Sequence, residues 1–213
     1  MAAKEFPIEP QPTTLVDTPY RRITTPIPTP ASVEALQTLR DHETRSMRGQ
    51  PPIVWHKVHG FWIDWSSGVL VANSGHNHPR IIQALKDYLA TGEPIMTYCF
   101  PSDPRARLVK KLIEISPESM DRVFLLTTGS EAVEVAIKLA RTHGIRKNPD
   151  KRIIISFQGG FHGRTYGAQL AGGVLGGAEW VDENPYFVQV PFPSSIDVTD
   201  RSFAAFEREL AER

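Results

Sequence analysis

The stretch "LLTTGSEAVEVAIKLAR", residues 125–141, joins a short apolar run to a long helical pattern through a small polar turn. The apolar run belongs to "RVFLLTT", residues 122–128, and its continuous hydrophobicity predicts a strand buried on both faces, as in a parallel sheet. The pattern after the turn predicts a helix over Glu131–His143, with Gly144 at the position of a C-terminal cap. The stretch therefore predicts the first half of a βαβ unit.

The turn between strand and helix, Thr127–Ser130, can hold an anion. A helix that begins after a parallel strand offers unpaired backbone N–H groups and the positive end of its dipole at the ligand edge of the sheet. Gly129 lets the backbone approach a bound group closely and Ser130 adds a hydroxyl, so the turn can form a phosphate cradle. The alternative needs no ligand, because Thr128 and Glu131 have the spacing of a capping box.

A second apolar run, "RIIISF" at residues 152–157, predicts the next strand, and the glycine-rich loop "QGGFHGRTYG" follows it. In that loop Phe161 can stack on a planar ring and Arg164 can bind a carboxylate in fork geometry. Taken singly, each has a structural alternative, a packed aromatic side chain or an ion pair. Together, a phosphate site, an aromatic plate and a carboxylate-binding arginine match pyridoxal phosphate (PLP) with an amino-acid substrate.

Further elements are predicted on both sides of these strands. "YFVQVPF" at residues 186–192 predicts a third strand, and "RSFAAFERELAER" at residues 201–213 predicts a last amphipathic helix. Upstream, a first helix is predicted from Ser32, its cap, to about Met47, and "GFWIDWSSGVLVANSG" at residues 60–75 supplies a short β element. Two further helices are predicted with proline in the first turn, at Pro79 and at Pro104, the latter with Ser102 or Asp103 as cap.

Composition excludes several functional classes. Lys+Arg and Asp+Glu number 24 each, so no basic field predicts a nucleic-acid partner. No apolar run reaches the roughly 20 residues that cross a bilayer, the N-terminus lacks the apolar core of a signal peptide, and no membrane partner is expected. The single cysteine, Cys99, excludes an internal disulfide and indicates a cytoplasmic location. No metal site is predicted.

Three motifs in order make the chain similar to the N-terminal half of class III PLP-dependent aminotransferases, the ornithine and 4-aminobutyrate type. They are "IDWSSGVLVANSGHNHPRIIQAL" at residues 63–85, "TTGSEAVEVAIKLAR" at 127–141 and "FHGRTYG" at 161–167. The resemblance runs from about residue 50 to the C-terminus. It implies an α/β architecture of fold type I, with a mostly parallel sheet flanked by helices, of which this chain holds an incomplete large domain.

The resemblance implies roles for the matching residues. Gly129 and Ser130 would bind the phosphate of pyridoxal 5'-phosphate, and Phe161 would stack on its ring with His162 beside it.

On the substrate side, Arg164 would bind a substrate carboxylate and Val69 would lie near the substrate. Tyr98 would border the site of a neighbouring subunit, because family members build their sites across a homodimer. The implied substrates are a small amino donor and a 2-oxo acid acceptor.

The family's catalytic lysine and its ring-nitrogen acid lie beyond the ring-stacking loop. Here the last lysine, Lys151, precedes the second predicted strand, and Lys138 lies inside a predicted helix, so neither is expected to form the Schiff base. The later acids Asp182, Asp197 and Asp200 do not end buried strands. No catalytic residue is therefore assigned. The chain is interpreted as a truncated N-terminal portion, inactive and poorly folded by itself.

The predicted organisation has three parts. Residues 1–31, rich in proline and threonine, form an extended arm or a disordered tail. Residues 32–121 form a segment of helices with a small β element, and residues 122–213 form the first part of the PLP-binding large domain. Three functions remain open beside transamination: a PLP-dependent lyase of the same family, a non-catalytic binding module, and a nucleotide-binding domain. The last is disfavoured because "TTGSEA" does not match GxGxxG.

Overall fold

The computed structural model describes residues 6–44, 49–58, 67–96, 99–172 and 184–192, together with Glu207, Arg208 and Ala211. The chain forms two compact units, Ala3–Arg107 and Leu108–Arg213 with Met1–Ala2. The predicted three-part division, with boundaries after residues 31 and 121, stays a prediction. Most of the predicted helix at residues 201–213 lies outside the described residues.

The unit Ala3–Arg107 opens with a small antiparallel pairing. β1 (Val16–Asp17) pairs with β2 (Arg22–Ile23), and a single bridge joins Gln11 to Ile27. Ile8, in the same region, is buried. The proline- and threonine-rich region predicted as an extended arm thus contains a hairpin and a buried apolar residue.

α1 (Val33–His42) follows a 3-10 turn over Pro30–Ser32. Ser32 precedes α1 as predicted, but its side chain makes no cap hydrogen bond. The reason is that its backbone is already helical, with φ −93° and ψ −11°, as part of the preceding turn. α1 ends at His42, before the predicted end at Met47, which lies outside the described residues.

The segment Ser67–Leu70 (α2) is a single left-handed turn, with φ values of 52°, 60°, 58° and 66°. The predicted β element is therefore not extended at Ser67–Leu70, and its residues 60–66 lie outside the described residues. Gly68 adopts this backbone without cost, whereas the β-branched Val69 is strained in it by about 1–2 kcal/mol.

α3 (Pro79–Ala90) and α4 (Asp103–Ile115) confirm the two helices predicted from proline in the first turn. His78 caps α3, because its side chain accepts a hydrogen bond of 3.2 Å from the backbone N–H of Arg80. α4 begins at the second of the two residues predicted as its cap, directly after Ser102. Within the described residues, no helix has both the length and the hydrophobicity that crossing a membrane requires.

The unit Leu108–Arg213 contains a parallel two-stranded sheet. β3 (Ile154–Phe157) pairs with β4 (Phe187–Val190), which confirms the second and third predicted strands. α6 (Tyr166–Ala171) packs against both strands. Among the described residues of this unit, the buried ones come from these three elements: Ser156, Gly167, Ala168, Leu170, Ala171 and Val190.

The first predicted strand, at residues 122–128, is not formed. The described residues provide no strand that pairs with this segment, and the Phe124 side chain is 67% exposed. The prediction is wrong for this structure because apolar residues form a strand only where a neighbour accepts the backbone hydrogen bonds. The predicted right-handed crossover therefore has no first strand here.

α5 (Gly129–Lys147) extends beyond the predicted helix at both ends. The prediction of Gly144 as C-terminal cap is wrong, since Gly144 lies inside the helix and Asn148 is the cap. A Cβ atom at Gly144 would lie 2.8 Å from the carbonyl oxygen of Lys151, so the glycine allows the following chain to cross the helix closely.

Arg141 attaches the C-terminal half of α5 to the sheet. Its Nε donates a 3.1 Å hydrogen bond to the Arg152 carbonyl oxygen, just before β3. Its guanidinium carbon lies 5.3 Å from the ring centroid of Tyr186 and 5.7 Å from that of Phe187, at the start of β4. The helix that begins at the candidate site is thus fixed to both strands near its other end.

Candidate functional site

The N-terminus of α5 is closed by a capping box. Thr128 Oγ1 accepts a 3.2 Å hydrogen bond from the N–H of Glu131, and Glu131 Oε2 accepts from the N–H groups of Thr128 at 3.1 Å and Thr127 at 3.0 Å. The Thr127 hydroxyl also donates to Glu131 Oε2. These hydrogen bonds hold the pKa of Glu131 below its usual value, and the bond from the Thr127 hydroxyl has the largest effect. The ligand-free alternative for this turn is therefore confirmed as a local structure.

The capping box does not use two of the backbone N–H donors in the first turn of α5. The N–H of Ala132 already bonds the Thr128 carbonyl oxygen. The N–H groups of Gly129 and Ser130 make no hydrogen bond among the described residues, as expected for the first helical turn. Capping and anion binding are therefore compatible at this helix start.

Gly129 is not required by the chain's own packing. A Cβ atom at Gly129 would meet no atom of the described residues within 4 Å, and the backbone there is not left-handed. Other glycines of this unit are needed for close contacts inside the chain, as Gly144 is. The space in front of Gly129 is open.

The loop after β3 contacts the helix start through Gly163. Its φ is 127°, and a Cβ atom there would lie 2.8 Å from Ser130 Cβ and 2.9 Å from Ser130 Cα, so only glycine fits. The N–H of Arg164 donates to Ser130 Oγ at 3.4 Å. The structure thus brings together Ser130 and the backbone of Arg164, two of the predicted site residues.

Phe161 and His162 lie in the same loop. The Phe161 side chain is 68% exposed, so its ring is available to a ligand. His162 is half-buried, and its Nε2 lies 3.3 Å from the position of a Cβ atom on Gly160. Five predicted residues thus lie at this helix start or in the loop that contacts it, namely Gly129, Ser130, Phe161, His162 and Arg164, whereas their roles stay predictions.

One side chain at this junction escaped the sequence analysis. Glu134 Oε1 accepts hydrogen bonds from the N–H of Gly167 at 2.8 Å and of Ala168 at 3.1 Å. A hydrogen bond from the Thr165 side chain is the main cause that holds the pKa of Glu134 below its usual value. The available signal was its spacing, because Glu134 lies four residues after Ser130 and so shares its helix face.

The structure does not test the other two predicted residues. Val69 belongs to the unit Ala3–Arg107, in the left-handed turn, with its side chain 75% exposed. Tyr98 lies outside the described residues. The substrate role of Val69 and the subunit-border role of Tyr98 stay predictions.

Comparison with known proteins identifies the family. The family Aminotransferase class-III matches residues 47–212. The acetylornithine/succinyldiaminopimelate aminotransferase of Photorhabdus laumondii is 37% identical over 150 residues, which are 68% of this chain and 36% of that protein. The diaminobutyrate–2-oxoglutarate aminotransferase of Haemophilus influenzae is 34% identical over 170 residues, 74% of this chain and 36% of that protein. The chain spans about a third of the length of these relatives.

Solved structures agree. The crystal structure of taurine:2-oxoglutarate aminotransferase from Bifidobacterium kashiwanohense, in complex with PLP and glutamate, shares 26% identity with a TM-score of 0.67. The match covers 85% of this chain and 44% of that one. An omega-transaminase from Thermomicrobium roseum, at 23% identity and a TM-score of 0.69, shows the same fold. The expected partial α/β domain of fold type I is confirmed, and the chain belongs to the class III aminotransferase family.

Proposed function

We propose that the protein is a PLP-dependent aminotransferase that moves an amino group between an amino acid or amine and a 2-oxo acid. In this proposal the present chain supplies the contacts to the cofactor's phosphate and ring. One observation carries it: the N–H groups of Gly129 and Ser130, at the start of a 19-residue helix, bond no described residue, and no described atom lies within 4 Å of a Cβ position at Gly129. When bound, PLP acts as the electron sink for chemistry at the amino-bearing carbon.

The residues of the helix start suit a phosphate. The N–H groups of Gly129 and Ser130 can donate to its oxygens, and the dipole of α5 favours its negative charge. Ser130 Oγ accepts from the N–H of Arg164, so the Ser130 hydroxyl still has its own hydrogen to donate.

The residues of the loop suit a ring and a carboxylate. The exposed Phe161 can stack on the pyridine ring, with His162 beside it. The guanidinium of Arg164 can bind the carboxylate of an amino-acid substrate in fork geometry, while its backbone stays anchored on Ser130.

A second candidate function is non-covalent cofactor binding without turnover. It is favoured by the positions of Lys151, the last lysine of these 213 residues, and of Lys138. Lys151 precedes β3 whereas Phe161 follows it, and Lys138 is an exposed residue of α5. Neither suits a covalent bond to a cofactor held at the helix start.

A cytoplasmic location and a homodimer remain part of the proposal, the first because Cys99 has no cysteine to pair with.

Gly129→Ala tests the proposed phosphate site. Because the space in front of Gly129 is open and alanine is the better helix former, the variant should keep or slightly raise the thermal midpoint. The added methyl group would occupy the space that a phosphate needs. We expect the Kd for PLP, measured by absorbance titration, to rise at least about tenfold, equivalent to about 1.4 kcal/mol.

The control is Gly92→Ala, just after α3, where the added methyl group also meets no described atom within 4 Å; its left-handed φ of 74° should lower the thermal midpoint without affecting the phosphate site. It should leave the Kd for PLP unchanged. An unchanged Kd in Gly129→Ala would refute the phosphate site. Borohydride fixation of PLP to a lysine in a polypeptide of these 213 residues would refute the non-covalent mode.

A further inference from the structure

Glu134 connects two helices at the candidate site. α6 begins at Tyr166, and its own N-cap residue, Thr165, makes no side-chain cap hydrogen bond. Glu134, a residue of α5, caps the start of α6 instead. Its carboxylate accepts hydrogen bonds from the N–H groups of Gly167 and Ala168 at 2.8 and 3.1 Å. Hydrogen bonds from N–H groups to a carboxylate are shorter and stronger than neutral ones.

The contact is tight and partly buried. Gly167 and Ala168 are both buried, and Ala168 is 0% exposed. A Cβ atom on Gly167 would lie 3.2 Å from the carboxyl carbon of Glu134, closer than ordinary van der Waals contact. The start of α6 therefore has little freedom to move while Glu134 stays in place.

Two contacts of the same kind follow one another along a single face of α5. Ser130 meets Gly163 and the N–H of Arg164, and Glu134, one turn later, meets Gly167. In both pairs a glycine makes room for the side chain of the helix. The five residues from Gly163 to Gly167 are thus held at both ends by α5.

We propose that Glu134 is a positioning residue of the cofactor and substrate site. By holding the start of α6 against α5, its carboxylate fixes the loop that carries Phe161 and Arg164 relative to the N–H groups of Gly129 and Ser130. This inference rests on the proposed function, since it concerns the same site. Glu134 itself is not expected to touch cofactor or substrate.

Three variants of the full-length protein test the proposal. Glu134→Ala removes the carboxylate, and Glu134→Asp keeps the charge but shortens the reach by one carbon. Lys138→Ala, an exposed change one turn further along the same helix, is the control. The first measurement is hydrogen–deuterium exchange of the cofactor-free protein in peptides that cover residues 163–171. The second is the Kd for PLP, with the visible circular dichroism of the bound cofactor.

We expect residues 163–171 to exchange faster in Glu134→Ala and Glu134→Asp than in the wild type, and at the wild-type rate in the control. The Kd for PLP should rise about tenfold or more in Glu134→Ala and at least about threefold in Glu134→Asp, as loss of hydrogen bonds to a charged group implies. The cofactor's circular dichroism should change in both, because the ring contact shifts. A role confined to stability would lower the thermal midpoint and leave the Kd and the dichroism unchanged.

An unchanged Kd and dichroism in Glu134→Ala, whatever its stability, would overturn the proposal. Should Glu134→Ala not fold, Glu134→Asp decides in the same way. Unchanged exchange in both variants would overturn the contact itself. A wild-type protein that bound no PLP would overturn the proposed function and with it this inference, while the exchange data would still judge the contact between Glu134 and α6.

Discussion

Two apolar runs with the same sequence signature end up in different states. The run at Ile154–Phe157 is β3, paired along its length with β4 and with Ser156 buried. The run at 122–128 pairs with no strand among the described residues, and Phe124 in it is 67% exposed. The difference teaches that local hydrophobicity supplies the surface of a strand, whereas a neighbouring strand must supply its hydrogen bonds. The turns that follow both runs are nevertheless held by specific contacts. The capping box holds the turn after residues 122–128, and the contact of Gly163 with Ser130 holds the loop after β3.

The largest expected effect separates the two runs directly. In a polypeptide of these 213 residues, Val190→Asp buries an unpaired charge at a position that is 0% exposed, in the strand that pairs with β3. It should cost about 4 kcal/mol or more in the free energy of unfolding. Phe124→Asp, at an exposed position, should change the free energy of unfolding by no more than about 0.5 kcal/mol. Urea denaturation measures both.

A loss at Phe124 as large as that at Val190 would break the comparison. It would mean that residues 122–128 are buried in the folded polypeptide, as their sequence predicts.

The next effect concerns the loop after β3. Arg164→Ala should raise the KM for amino-acid substrates of the active enzyme strongly, because truncating one partner of a hydrogen-bonded charge pair costs roughly 2–5 kcal/mol. Simple amines carry no carboxylate, so their KM should change much less. Arg146→Ala, an exposed arginine at the end of α5, is the control and should affect neither. Equal losses for amino acids and amines would exclude the carboxylate contact.

The junction between the two ordered turns gives a smaller effect. Gly163→Ala introduces a methyl group within 2.9 Å of Ser130 main-chain and side-chain carbons, at a φ of 127°. Gly159→Ala, in the same loop, has a left-handed φ of 76° but no described atom within 4 Å of the new group. Gly163→Ala should therefore lower the free energy of unfolding by about 1–3 kcal/mol more than Gly159→Ala does, the cost of overpacking. Equal destabilisation would show that backbone strain alone makes both positions glycine.

The smallest effect tests the turn after the unpaired run. Because hydrogen bonds, above all the one from the Thr127 hydroxyl, hold the pKa of Glu131 below its ordinary value, the carboxylate stabilises the fold at pH values above its unfolded pKa. That contribution is lost as the pH falls through the lower, folded pKa. Glu131→Gln keeps the capping geometry without the charge, so its thermal midpoint should fall less steeply below pH 5 than that of the wild type.

Glu118→Gln, in an exposed turn after α4, controls for the loss of one carboxylate. If the thermal midpoint of Glu131→Gln fell with pH as steeply as that of the wild type, protonation of Glu131 would not contribute to the acid dependence of stability.

The sequence predicted what depends on neighbours along the chain. The helices led by Pro79 and Pro104 and the capping box of Thr128 and Glu131 were all readable, because each rests on groups within four residues of one another. β3 and β4 were readable from their apolar runs. The motifs shared with the family predicted PLP as the cofactor and roles for Gly129, Ser130, Phe161 and Arg164, and these roles stay predictions.

What the sequence did not predict depends on contacts between distant segments. Gly144 was assigned to a helix end, because its contact with the Lys151 carbonyl oxygen depends on how the chain folds back. The role of Glu134 depends on the docking of α6, which no pattern in α5 reveals. The left-handed turn at Ser67–Leu70 opposes the β preference of its valine, so propensity alone misreads it.

The two glycine contacts of α5 also bear on how the length of this chain can vary among relatives. Gly163 lies 33 residues after Ser130, and Gly167 lies 33 residues after Glu134. Insertions or deletions in the stretch between Glu134 and Gly163 shift both contacts together and can be absorbed in its turns. A length change between Ser130 and Glu134, or between Gly163 and Gly167, would misalign one contact while keeping the other. These two short intervals are therefore where alignment gaps should be rarest.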